Sequence, residues 1–269
     1  MKWKAMLALF DGVLAACFLA IFLMPIAALG GGFFALFWRR NWPVAAVFLA
    51  VLAAVNAWFI ANRRMIGLLQ AGDWPALAAL LEERVFHSRV PRSLHVGLLA
   101  NAYLATSNTD GLAGLEAFVG KRRPRLAARH TLAFGIPHLV AGDPAAAEAW
   151  FAARLDERGL RDRNWIRWNR AFCLVQLRRT AEARAELDAL ADSSDPVLAM
   201  LSLYLGDACA ANEPAAAERA AAGRRALIHR VSADRMRRIC SEGGGNVEVA
   251  VLSDLIGKAK TWLYAEDPV

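Results

Sequence analysis

The stretch Val140-Ala141-Gly142-Asp143-Pro144-Ala145-Ala146-Ala147-Glu148-Ala149-Trp150-Phe151 decides the fold. Gly142 suits the left-handed conformation that ends a helix. Asp143 can cap the next helix with its carboxylate, and Pro144 fits the first turn, where a missing N–H costs nothing. The alanine-rich run that follows, with Trp150 and Phe151, gives that second helix a packing face. The stretch therefore reads as the turn of a helical hairpin.

The turn recurs. Upstream stand Gly72-Asp73-Trp74-Pro75-Ala76-Leu77 and Asn108-Thr109-Asp110-Gly111-Leu112-Ala113; downstream stand Arg178-Arg179-Thr180-Ala181-Glu182-Ala183 and Asn212-Glu213-Pro214-Ala215-Ala216-Ala217. Taken at positions 72, 108, 142, 178 and 212, the steps are 36, 34, 36 and 34. The helices before these turns share a second pattern: Val96-x2-Leu99-Ala100-x2-Tyr103, Trp165-x2-Trp168-Asn169-x2-Phe172, and in part Leu205-Gly206 with Cys209 in the aromatic's place. Small residues let two helices approach, and large ones fill the groove between hairpins.

From about Arg63 to Arg238 the chain resembles the tetratricopeptide repeat family, a helix-turn-helix unit of about 34 residues. The resemblance implies an all-α protein, with a TPR-like α-solenoid of about five helix pairs. Helices are expected over 92–106 and 110–120, 125–141 and 144–157, 163–178 and 180–191, 196–211 and 214–228. Pro137 should kink its helix, since it lacks the N–H and its ring crowds the preceding turn. The resemblance also implies protein–protein recognition without catalysis or cofactor. A peptide or helix would lie in the concave groove lined by the first helix of each pair. The polar positions there are Asn101, Asn169 and Arg170. For Asn101 and Asn169 a structural hydrogen bond between helices is the competing role.

Before the repeats lies an apolar region. Over the whole chain 57% of residues are hydrophobic, yet from Ala5 to Trp38 the lone charge is Asp11. Domains are expected at 1–62 (membrane hairpin), 63–240 (repeats) and 241–269 (Gly linker and C-terminal amphipathic helix). The spans fall at about 12–38 and 43–61, joined by a tight connection at Arg39-Arg40-Asn41-Trp42. Pro25 would tilt or kink the first span. Small residues run along one face of each span: Gly12, Ala16 and Ala20, then Ala46, Ala50, Ala53 and Ala57. Such faces pack closely in lipid, although abundant alanine alone yields the same pattern. Asp11 sits where it could pair with Arg63 or Arg64 or stand alone at the interface. Lys2, Lys4, Arg63 and Arg64 on the domain side outnumber Arg39 and Arg40, which orients the repeats toward the cytoplasm of a bacterial-type inner membrane. Leu14-Ala15-Ala16-Cys17 is the rival, a lipobox-like sequence whose cleavage would put the rest outside. No proline interrupts Val44–Gln70, so the second span should continue as one helix into the first repeat, with no flexible tether.

Net charge is +7, which membrane proteins reach by gathering cations near anionic lipid. Two clusters carry it: Lys121, Arg122, Arg123 and Arg125, and then Arg224, Arg225, Arg230, Arg235, Arg237 and Arg238. They are either solvated faces or sites for an acidic partner or anionic lipid; no aromatic interleaving points to nucleic acid. The cysteines Cys17, Cys173, Cys209 and Cys240 form no CxxC pair, as expected of reduced thiols. The tail from Val247 to Tyr264 carries one apolar stripe and should fold back as a cap; a partner or a membrane surface are its other targets. His130 and His138 lack further ligands for a metal, and no Walker, GxSxG or HExxH motif is present. The sequence thus points to a membrane-anchored scaffold. A structural subunit of a transport, secretion or motor complex, assembled through the hairpin and open to homo-oligomerisation, is the alternative.

Overall fold

A computed structural model of the chain describes residues 2–210, 213–242 and 252–265. Side chains of residues 1–8, 11, 23, 25–36 and 242 fall outside that description, as do the Asn212 turn and the 243–245 glycines. The expectations for Asp11, Pro25 and those two loops therefore lie outside the described residues. All regular structure among the described residues is helical. The chain divides into two compact units, Met1–Gly72 and Asp73–Val269.

The first unit is α1, Lys2–Ala71, helical throughout its 70 residues. Its ring contacts exclude a straight rod. Phe18 stacks on Phe48 at 5.3 Å, and Phe22 meets Phe37 at 6.1 Å and Trp38 at 5.5 Å. Thirty residues of straight helix would hold Phe18 and Phe48 roughly 45 Å apart. The helical chain therefore doubles back between Phe22 and Phe37, the interval whose sequence holds Gly30-Gly31-Gly32. The connection expected at Arg39–Trp42 is corrected: these four residues lie within helix, and the Asn41 amide donates to Phe37 O at 3.0 Å, one turn back. Charge and an N-cap residue suggested a turn there, but a helix tolerates both when its apolar face continues beyond.

That face is not the small-residue one. The less exposed positions up to Phe59 are Leu14, Phe18 and Phe22, four apart, and then Phe37, Trp38, Asn41, Ala45, Phe48, Leu52, Val55, Asn56 and Phe59, among which 38, 41, 45, 48, 52, 55 and 59 alternate three and four apart. This is a heptad seam. Gly12, Ala16, Ala20, Ala46, Ala50, Ala53 and Ala57 are all exposed on the outside. Aromatic rings bury more area per position than alanine, so the ring-bearing face is the one taken inside. Phe37–Ala71 is long and apolar enough to cross a membrane by length and composition. It runs as one helix up to the turn at Gly72. The unit boundary accordingly falls at 72/73, ten residues beyond the expected 62/63.

The second unit comprises α2 (Trp74–Phe86), α3 (Ser93–Ala105), α4 (Thr109–Arg122), α5 (Pro124–Arg129), α6 (Thr131–Val140), α7 (Pro144–Ala152), α8 (Arg163–Gln176), α9 (Thr180–Ala191), α10 (Pro196–Cys209), α11 (Pro214–Arg230), α12 (Ala233–Glu242) and α13 (Ser253–Tyr264). The turns explain the boundaries. Asp73, Asn108, Asp143 and Asp195 each cap a helix by accepting from backbone N–H groups two or three residues on. Just before the first three caps, and at the matching place in the fourth turn, stands a left-handed residue: Gly72 (φ 66°), Ser107 (54°), Gly142 (77°) and Arg178 (59°). Those positions are 35, 35 and 36 residues apart. Around Ser107, Asn108 N donates to Tyr103 O and Ser107 N to Leu104 O; around Arg178, Arg179 N donates to Leu174 O and Arg178 N to Val175 O. This double bond pattern satisfies carbonyls that the helix end would otherwise orphan.

From α2 to α11 each helix packs on its chain neighbour, α12 packs on α10, and α3, α6, α8 and α10 also touch in series. The core follows: Leu77, Leu81, Leu99, Leu112, Leu115, Phe151, Ile166, Trp168, Leu174, Leu187 and Leu198 are almost completely inaccessible. Ion pairs tie successive pairs together. Arg154 joins Glu116 at 2.8 Å, and Arg170 joins Glu148 at 2.7 Å and Glu186 at 3.2 Å. The expected helix 125–141 is two helices, broken at His130 and not at Pro137, which sits inside α6. His130 is held there by Ser93 Oγ at 3.1 Å, a tertiary contact with no local signature. The helix expected to reach 157 stops at Ala152. α13 packs on α10 and α11 through Ile256, Ala259 and Leu263, and the Trp262 indole donates to Asp207 at 3.0 Å.

Candidate functional site

The serial helices α3, α6, α8 and α10 build one wall of a cavity of about 540 Å³. Gly97 and Asn101 come from α3, and Arg129, His130, Leu132 and Ala133 from the α5–α6 break. Arg161, Asp162 and Trp165 come from the start of α8, and Asp195 and Val197 from the start of α10. Ile239 and Cys240 of α12 and Leu252 and Ile256 of α13 complete it. The lining mixes two cations (Arg129 and Arg161), two carboxylates (Asp162 and Asp195) and aliphatic side chains.

Local geometry fixes several of these groups. The Trp165 indole donates to Asp195 Oδ2 at 3.0 Å while Asp195 Oδ1 caps α10, so both carboxylate oxygens are engaged. Asp162 is left-handed (φ 58°), an unfavourable conformation for a side-chain-bearing residue. It stands 3.7 Å from the Arg161 guanidinium, a loose and exposed pair. Burial pushes the His130 imidazole below its ordinary value, and Arg161 and Arg129 push it further down. Burial pushes the Cys240 thiol up. Both shifts favour neutral groups, so the site offers a neutral imidazole and thiol and not a thiolate–imidazolium pair. Among the described residues no three His, Cys, Asp or Glu side chains cluster as metal ligands.

Of the three polar residues singled out in the sequence, Asn101 lines this cavity. Asn169 is buried at 4% exposure, and its Oδ1 accepts no hydrogen bond. Arg170 is held between Glu148 and Glu186. These two expectations are corrected: both side chains face neighbouring helices. Their helix is packed between α7 and α9 as well as along the α6–α8–α10 series, so even the side turned away from Trp168 meets a neighbour. Arg129, Arg161 and Asp162 went unnoticed in sequence because they sit at breaks between helices, where periodicity gives no signal.

The basic residues are dispersed. Lys121 and Arg125 line a second, mixed-charge cavity with Glu116, Arg154, Glu157 and Arg158. Arg122 donates to Ser88 O and Arg123 to Pro91 O. Arg224 donates to the Leu263 and Ala265 carbonyls, holding the end of α13. Arg225, Arg235 and Arg238 are exposed. His138 stacks on Trp150 at 4.8 Å and does not line the cavity that holds His130.

No solved structure matches the chain. An "Uncharacterized protein" of Treponema pallidum (strain Nichols) is 31% identical over 213 residues, covering 76% of this chain and 66% of that relative. The chain thus spans slightly less than two thirds of the relative's length. The family model described as "Uncharacterised Treponema protein" matches residues 111–265, a range that holds all of the cavity except Gly97 and Asn101. With more than half of its residues matched, the chain belongs to that family of Treponema proteins.

Proposed function

We propose that this chain is a membrane-anchored adaptor of tetratricopeptide-like helical repeats, whose α3–α6–α8–α10 wall receives a protein segment. The carrying observation is the left-handed residue every 35 or 36 positions, which after α3, α6 and α8 marks the turn to the next helix, with α3, α6, α8 and α10 in series along one cavity. In this reading α1 forms a two-pass hairpin closed by its aromatic seam. The repeats then lie on the cytoplasmic side by the Lys and Arg balance. The neutral His130 and Cys240 favour binding over nucleophilic catalysis. Site-specific photo-crosslinking in native membranes tests this. A photoreactive residue at Asn101 or Trp165 should yield a discrete protein adduct, and one at Glu218 on α11 should not. Equal adducts from both positions, or none from the cavity, would refute it. Sidedness is checked by labelling Asn108→Cys in spheroplasts with an impermeant reagent; labelling from outside overturns the topology.

A second reading, a subunit of a membrane complex, is favoured by the outward small-residue face Ala46, Ala50, Ala53 and Ala57. Ala50→Leu with Ala53→Leu separates the two. Lost assembly with intact cavity cross-linking supports the complex subunit, and unchanged assembly supports the adaptor.

A further inference from the structure

The connectors 87–92 (α2 to α3) and 123 (α4 to α5) are more than thirty residues apart in sequence and adjacent in space. Arg122 Nη1 donates to Ser88 O at 3.3 Å, and Arg123 Nη1 donates to Pro91 O at 2.9 Å. The Arg122 guanidinium also lies over the Phe118 ring at 4.3 Å, and that ring meets Phe86 edge-on at 4.8 Å. Val90 N donates to Ser88 Oγ at 3.2 Å, and Pro91 is buried. The connector is thus pinned at Ser88 and Pro91. Its free side chains are presented outward: Val90 at 62% exposure and Leu94, in the first turn of α3, at 55%. Arg89 and Arg92 flank them, both exposed. None of Arg89, Arg92, Arg122 and Arg123 has an ion-pair partner among the described residues. Two exposed aliphatic side chains therefore stand among four cations that no carboxylate neutralises.

From this juxtaposition we infer that the α2–α3 connector is a docking surface for an anionic lipid bilayer. Guanidinium groups carry several donors suited to phosphate oxygens. Val90 and Leu94 can enter the headgroup boundary, as the apolar residues of interfacial segments do. None of the six residues lines either cavity described above. A pinned loop with outward aliphatics suits a lipid plane better than an extended acidic peptide, which needs a groove. The inference rests on α1 being in the membrane, because the anchor keeps a bilayer at high local concentration. Each arginine close to an anionic surface contributes roughly fivefold in affinity. The positive surroundings are also felt by His95, whose pKa is lowered by burial and then by Arg84 and Arg92.

The test uses the full chain in nanodiscs, of phosphatidylcholine alone or mixed with phosphatidylglycerol. Val90→Cys, and separately Leu94→Cys, carries an environment-sensitive fluorophore, and the signal of the labelled parent is subtracted. In the anionic discs the emission should shift to the blue and be quenched by a headgroup-level nitroxide lipid. Arg89→Glu with Arg92→Glu should reduce the quenching at least fivefold while leaving the thermal melt unchanged, and so should high salt. Equal emission in both lipids, or quenching indifferent to the charge reversal, overturns the inference. A blue shift that appears only on adding an acidic protein fraction assigns the surface to a protein instead. Release of the chain from membranes by alkaline carbonate would refute the anchor. An integrated chain with a fully water-exposed probe refutes the docking surface alone.

Discussion

The two units treat apolar side chains in opposite ways. In Met1–Gly72 thirteen of the described large hydrophobics are well exposed, Val44, Val47, Leu49, Val51 and Ile60 among them. In Asp73–Val269 only Val90, Leu94, Val140 and Ile228 are, among the described residues. Yet α1 and α10 are comparable runs of alanine, leucine and other apolar residues by sequence. What separates them is what lies around: α10 is enclosed by α8, α9, α11 and α13. The window of α1 long enough to span a bilayer is only 6% buried. An exposed apolar surface of that extent is stable only where the surroundings are themselves apolar. Composition alone does not distinguish these two helices; how many helices surround each does.

The strongest way to break this contrast is to put charge on the exposed face of α1. Val47→Arg with Val51→Arg should abolish membrane integration, because each arginine near the centre of a span costs about 3 kcal/mol. Retention of the double variant in carbonate-washed membranes would mean that the face does not meet lipid. In the second unit the sensitive positions are interior ones. A Cβ at Gly135 would stand 2.5 Å from the Phe151 ring, which is fully buried and has nowhere to go. Gly135→Ala should destabilise by about 1–3 kcal/mol, read as a lowered Tm of the detergent-solubilised chain with no change in membrane retention. An unchanged Tm would mean that α6 and α7 are less closely packed.

A smaller effect of opposite sign sharpens the repeat. Arg178 holds the left-handed turn position that Gly72 and Gly142 hold elsewhere. Arg178→Gly should stabilise by about 0.5–1 kcal/mol, since glycine adopts that conformation without a Cβ clash. A loss of Tm would indicate an unrecognised role for the arginine. The smallest effect is one of pH. The His130, His95 and His138 pKa values are all lowered, chiefly by burial. Between the folded values and the ordinary 6.5 the unfolded chain binds more protons, so stability falls as pH drops below about 6.5 and levels off below the folded values. His130→Gln should reduce the fall in Tm between pH 7.5 and 5.5; an identical fall would assign it to other groups.

Much of the second unit was legible because its turns are local. Asp73, Asn108, Asp143 and Asp195 cap helices within three residues of themselves, so their chemistry is written in adjacent letters. The α5–α6 break at His130 depends on Ser93, thirty-seven residues away, and neither residue announces it. In α1 the seam from Trp38 to Phe59 alternates threes and fours, while the alanine pattern marks the exposed face. The candidate site fared worse. Asn101 reached the cavity, while Asn169 and Arg170 turned toward neighbouring helices. Helical spacing gives a residue's angle on its own cylinder, and only the packing of the next cylinder decides whether that angle faces solvent.

Helices packed side by side carry an intrinsic hazard, since an uncovered apolar edge can recruit another helix. Here α13 lies across α10, with Leu263 and Ala259 sealed against it and Arg224 clasping the carbonyl of Leu263. The sticky edge is thereby spent within the molecule.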